Sequence, residues 1–161
     1  MNIKKKTLIL LFLIIFFISI NVNAATTLKR MLVSSNRMIK KISVNDAYRW
    51  YQNKKALFID VDEPAEFNSL TIPGSINIPR GVLEFKIGRY ANKNTLIVIF
   101  SKRGDRGILS VYNLQGLGYN NVYNINGGLL RWKSARFPVK IHKKAQTIPQ
   151  IRKKRIIRRI K

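Results

Sequence analysis

The sequence predicts a single α/β domain, a doubly wound parallel sheet flanked by helices on both faces. Three observations predict it. The runs "ALFIDV" (56–61) and "TLIVIF" (95–100) are apolar almost throughout, as strands buried on both faces are. Segments with helical spacing alternate with such runs at intervals that suit βα units. Gly and Pro residues punctuate the chain between them.

In order, residues 25–42 form a basic, weakly patterned lead-in with a short strand expected near Met38–Ile42. Ser43 with Asp46 resembles a helix N-cap carrying an acid in the first turn. Val44, Ala47, Tyr48 and Tyr51 then fall at helical spacing, and Tyr48, Trp50 and Tyr51 are expected to cover the core. After the strand ending at Asp60, "EPAEF" reads as a helical turn opened by Pro64, whose missing N–H costs little there. "IPGSINIP" (72–79) holds a small strand, Ser75–Ile78, stopped by Pro79, and "GVLEFKI" a brief helix. Beyond "TLIVIF", "GILSVYNLQGLG" puts Ile108, Val111, Tyr112 and Leu114 on one helical face before Gly116 and Gly118 end it. "NVYNI" is the last strand, and "GGLLRW" starts a last helix expected to end at Pro138. No internal repeat is visible.

Composition bounds the chemistry. The chain has 161 residues, no cysteine and one histidine, His142. Disulfides, zinc–thiolate centres, thiolate nucleophiles and persulfide carriers are thereby excluded, as are His-based triads and multi-His metal sites. Lys and Arg number 31 against 7 acids, a net charge of +24, and every acid lies between Asp46 and Asp105. The excess of base at the two ends favours polyanionic partners; a solubilising surface is the plainer explanation.

The amino terminus reads as a secretory signal: Lys4–Lys6, an apolar run from Leu8 to Ile20, and Val22-Asn23-Ala24 as a small-residue cleavage site. The run is short for a bilayer span of about 20 residues. Cleavage after Ala24 and a periplasmic or secreted location are expected, with an uncleaved anchor as the alternative. The domain plan is then a signal peptide (1–24), a basic lead-in (25–37), the α/β domain (38–138) and a polybasic tail (139–161). The tail carries Ile151, Ile156, Ile157 and Ile160 among its bases. It suits an anionic membrane surface, with a solvated tail as the alternative. Nucleic acid is disfavoured for an exported chain, and His142 is expected to be solvated.

The stretch "IFSKRGDRG" (99–107) runs a buried strand into a cationic, glycine-bearing turn. In parallel sheets, ligands gather beyond such carboxyl ends, and loop amides at a helix N-terminus attract anions.

The segments "LFIDVDEPAEFNSLTIPGSINIP" (57–79), "TLIVIFSKRGDRG" (95–107) and "LGYNNVYNINGGLLRW" (117–132) together resemble the single-domain rhodanese family of sulfurtransferases. The resemblance implies an active-site loop written C-x-x-G-x-R, whose cysteine takes sulfane sulfur from a donor such as thiosulfate and holds it as a persulfide. Here the loop is Ser101-Lys102-Arg103-Gly104-Asp105-Arg106. Its length, glycine and final arginine fit, while Ser101 stands in the nucleophile's place. A serine hydroxyl is far less acidic than a thiol and needs a neighbouring base to act; it cannot hold sulfur as a stable persulfide. Asp62, where the family often has Arg, and Thr71, where it often has His, are further departures.

The expectation is therefore a protein that is not an enzyme, whose loop holds a small oxyanion or a partner's carboxylate. The alternatives are a non-cysteine sulfurtransferase-like enzyme, surface adhesion through the tail, or a loop that keeps only its shape, with Arg106 tied to the domain's own carboxylates. Asp60 and Glu63 could do acid–base work, although a structural role suits their positions better. No cofactor and no metal are implied, and the oligomeric state is open.

Overall fold

The computed structural model describes residues 27–141 together with Phe12. The expected signal peptide, its cleavage site, His142 and all but the first residues of the tail lie outside the described residues. Among the described residues, no helix is long and apolar enough to cross a membrane.

Residues 27–38 are helical (α1), where the sequence suggests only a basic, weakly patterned lead-in. Leu32, Ser35, Asn36 and Ile39 make its inward stripe at i, i+3, i+4 and i+7. Half of that stripe is polar, so an apolar count alone passes over it. There follow β1 (Lys41–Ile42), α2 (Val44–Gln52), β2 (Leu57–Asp60), α3 (Pro64–Ser69) and β3 (Ile76–Asn77). Then come α4 (Leu83–Lys86, with a 3₁₀ turn on either side), β4 (Ile97–Phe100), α5 (Asp105–Gly116), β5 (Val122–Ile125) and α6 (Gly128–Ser134).

Ser43 caps α2 as its position suggests, Oγ accepting from the Asp46 N–H at 3.1 Å. Glu63 and Glu66 form a capping box on α3, with Pro64 in the first turn. β3 is shorter than expected, and α6 stops at Ser134 rather than at Pro138. Arg136 adopts φ +60°, a left-handed termination that ends the helix before the proline is reached.

The five strands are all parallel, in the order β1-β5-β4-β2-β3. Alternation along each strand divides the core between the two faces. Ile59, Ile97, Ile99 and Val122 pack with Leu83, Ile87, Val111 and Leu114 on one face. Phe58, Val98, Phe100 and Ile125 pack with Ala47, Leu129 and Trp132 on the other, where Tyr48, Trp50 and Tyr51 cover them. Helices on both faces follow directly from strands that are apolar on both sides. Tyr112 departs from the expected face and is 38% exposed; Gly107 and Ser110 are the additional buried positions of α5.

β4 lies at the centre of the sheet, between β5 and β2. The loop 101–104 therefore leaves the sheet from its middle, and α5 starts immediately behind it.

Candidate functional site

The loop is held from beneath by the start of α6. The Leu129 N–H donates to the Ser101 carbonyl at 2.9 Å, and the Leu130 N–H to the Lys102 carbonyl at 3.0 Å. So close an approach requires glycine at 128: φ is +61°, and a Cβ there would overlap the Ser101 carbonyl oxygen and lie 2.6 Å from the Gly104 nitrogen. Asn124, from β5, supports the loop by donating from Nδ2 to the Gly104 carbonyl at 3.2 Å. Gly104 itself takes φ +100° at the N-cap of α5, which turns the loop amides inward.

Those amides converge on Ser101. The residue is 2% exposed, and Oγ accepts from the Gly104 N–H at 3.2 Å and from the Gly107 N–H at 3.4 Å. Among the described residues the hydroxyl proton has no acceptor. Above it opens a cleft of about 310 Å³ lined by Asp62, Glu66, Ser101, Lys102, Arg103, Asp105 and Arg106. All five side-chain-bearing polar residues of the predicted loop meet there, with Gly104 shaping the floor.

Two acids that the sequence reading did not place in the site also line it. Arg106 Nη1 donates to Asp62 Oδ1 at 2.7 Å and to Glu66 Oε2 at 2.5 Å. The lining thus balances three carboxylates against three cations, where the sequence suggested a cationic turn. The Asp62 side chain is 3% exposed and the Arg106 side chain 42%. Burial accordingly outweighs the guanidinium, and the Asp62 carboxyl is pushed above its ordinary range. Glu66, nearer to solvent, is held below its ordinary range by the Arg106 hydrogen bond. Lys102 and Arg103 make no ion pair among the described residues.

Asp60, one strand residue deeper, is fully buried. Oδ1 accepts from the Asp62 N–H at 3.0 Å, and Oδ2 lies 2.6 Å from Thr71 Oγ1. Thr71 Oγ1 is in turn 2.9 Å from Ser75 Oγ, which donates to the Ile72 carbonyl at 2.7 Å. The Thr71 hydroxyl donates to Asp60 Oδ2, so the carboxylate accepts from both of its partners. Burial pushes the Asp60 carboxyl up to about 6, against the hydrogen bonds from Thr71 and the Asp62 N–H, which favour the ionised form. This is a structural role, and Glu63 acts in the capping box rather than as a partner of Asp60.

A folded-state pKa raised above the unfolded value penalises the ionised form, so the native state loses stability as pH climbs from about 4 through 6. Asp60→Asn keeps the shape and loses the charge. It is expected to flatten that loss and to melt above the native protein at pH 8, by an amount on the order of 3 kcal/mol. Thermal melts of both proteins across pH 4–8 check this, and parallel curves would contradict it.

A parallel α/β sheet whose central strand delivers an amide-lined loop to the N-terminus of a helix defines a loop-site α/β protein. Residues 43–135 match the family model of the rhodanese-like domain, and the chain belongs to that family. A sulfurtransferase of Allochromatium vinosum is 25% identical over 91 residues, which is 56% of this chain and 84% of that protein. An adenylyltransferase and sulfurtransferase of Ogataea parapolymorpha is 30% identical over 84 residues, half of this chain. The chain spans about a fifth of that relative, 22% of its length. The crystal structure of a rhodanese-related protein from Thermoplasma volcanium superposes with a TM-score of 0.58 at 28% identity, covering 63% of this chain and 98% of that one.

These relatives correct one expectation. The absence of a loop cysteine led to the reading that the protein is not an enzyme, yet the relatives are named sulfurtransferases. The comparisons therefore point to an enzyme family. The missing cysteine and the Asp62 and Thr71 departures describe the site, and the family match outweighs them as a guide to class.

Proposed function

We propose that this rhodanese-like protein is exported and that its 101–106 loop binds a small oxyanion of the thiosulfate class. The observation that carries the reading is Ser101: a buried hydroxyl, fixed by two loop amides, whose proton is free to be donated into the cleft. Lys102 and Arg103 supply charge at the rim. The amino-terminal signal and the basic tail support export and a place near anionic surfaces.

Because the chain has no cysteine, sulfur exchange at this site takes a direct form. An external thiolate attacks the sulfane sulfur of bound thiosulfate, the S–S bond breaks, and sulfite leaves with the electron pair. The new persulfide belongs to the acceptor, and no bond forms to the chain.

Calorimetric titration with thiosulfate tests the binding. Saturable binding by the native protein, weakened at least tenfold in the Lys102→Ala/Arg103→Ala double variant, is expected; absence of binding at millimolar thiosulfate overturns the reading. Ser101→Cys probes the loop geometry separately. Its thiol would meet the same two amides, which favour a thiolate. It is expected to gain the mass of one sulfur atom after exposure to thiosulfate, as read by intact-protein mass spectrometry. No mass gain would mean that the amides do not activate the position.

A further inference from the structure

Asp62 stands out among the residues around the loop. It is one of two acids that share Arg106, and it is the one almost wholly buried, 3% exposed against 36% for Glu66. The guanidinium that closes the loop motif is the strongest donor available to an oxyanion, being planar, permanently charged and able to give two parallel hydrogen bonds. In this chain Nη1 of that group is 2.7 Å from a carboxylate oxygen supplied by the chain itself. The Lys102 backbone N–H also favours the ionised Asp62 carboxyl. A carboxylate that takes up the loop arginine does in part what a bound oxyanion would do.

We propose that Asp62 sets the affinity of the loop, an internal carboxylate ligand that holds Arg106, so that a dianion of the thiosulfate class is received by Lys102 and Arg103 and is bound more weakly than it would be with Arg106 free. The proposal rests on the oxyanion reading of the loop and deepens it. The residue is placed for this by ordinary structure: β2 ends at Asp60, the Asp62 N–H is held by Asp60 Oδ1, and the side chain is directed across the carboxyl edge of the sheet toward the start of α5. With Asp62 in place, a second anion beside Arg106 meets a like charge at close range with little water between them. Lys102 and Arg103 then remain the cations free to receive it. Removing the carboxylate leaves Arg106 with Glu66 on its solvent side and an open face toward the cleft.

The test is titration of the full chain with sodium sulfate, comparing the native protein with Asp62→Asn, which keeps the shape and loses the charge. Asp62→Ser is the second variant, to be used alongside it in case the amide perturbs folding. Both variants are expected to bind sulfate at least tenfold more tightly than the native protein, and Glu66→Gln to change affinity by less than Asp62→Asn does. Sulfate binding by the native protein that is unchanged in both Asp62 variants overturns this proposal and leaves the oxyanion reading standing. No sulfate or thiosulfate binding by any of the four proteins removes the oxyanion reading, and this proposal with it.

Discussion

Gly128→Ala is expected to destabilise the protein by about 3 kcal/mol or more, and to disorder the loop before the sheet. Two effects act together. The backbone at 128 is left-handed, with φ +61°, and the new methyl group would be driven into the loop backbone, 2.6 Å from the Gly104 nitrogen. Neither obstacle is the tip of a flexible side chain, so relief requires moving α6 away from the loop. That movement breaks the hydrogen bonds from Leu129 and Leu130 to the Ser101 and Lys102 carbonyls, which hold the site together. Urea unfolding of the variant measures the loss. Gly81→Ala serves as the control, because no heavy atom lies within 4 Å of the position its Cβ would take. The control is expected to stay within about 0.5 kcal/mol of the native protein; equal stability of the two variants would contradict the clamp.

Trp132→Ala is expected to cost about 3–5 kcal/mol, the usual range for removing a large buried aromatic. Trp132 is fully buried beneath the sheet. Its ring meets Tyr48 and Tyr51 edge-on with centroids 5.7 Å away, and Phe137 at 5.3 Å. Its Nε1–H donates to the Pro138 carbonyl at 2.8 Å, which fastens the segment after α6. Truncation therefore opens a cavity between α2, β2 and α6 and releases that segment. Denaturant midpoints read the effect, and a loss below about 1 kcal/mol would mean that the aromatic cluster does not carry this face of the core.

Much of the fold was legible because strands buried on both faces have a simple signature. "ALFIDV" and "TLIVIF" could be placed from apolarity alone, and Ser43, Pro64 and Gly118 marked turns of the chain by mechanisms that are local. The helix at 27–38 was not legible, since Ser35 and Asn36 occupy half of its inward stripe while Leu28, Met31, Val33 and Met38 are exposed. The left-handed Arg136 that ends α6 has no sequence signal comparable to a glycine.

The loop itself was readable residue by residue, including the serine at 101. Its charge was not. Asp62 and Glu66 lie about forty residues upstream of Arg106, with separations of 44 and 40, and only the parallel pairing of β2 with β4 brings them to one place. Asp62 had been visible as a departure from the family pattern, without any sign that it faces the loop arginine. The missing cysteine and base, with Ser101 in the nucleophile's place, lead to the non-enzyme expectation that the named sulfurtransferase relatives correct. The strand and turn segments spread across residues 43–135 were the better guide to family.

The central claim is that the 101–106 loop binds an oxyanion of the thiosulfate class, and amide resonances report on it most directly. Native protein labelled with ¹⁵N is titrated with thiosulfate, and shifts are followed across the chain. The account predicts saturable shifts at Lys102, Arg103, Gly104, Asp105 and Gly107, with the remainder of the domain unmoved. Shifts confined to basic positions elsewhere in the chain, or none at the loop at millimolar thiosulfate, would contradict it.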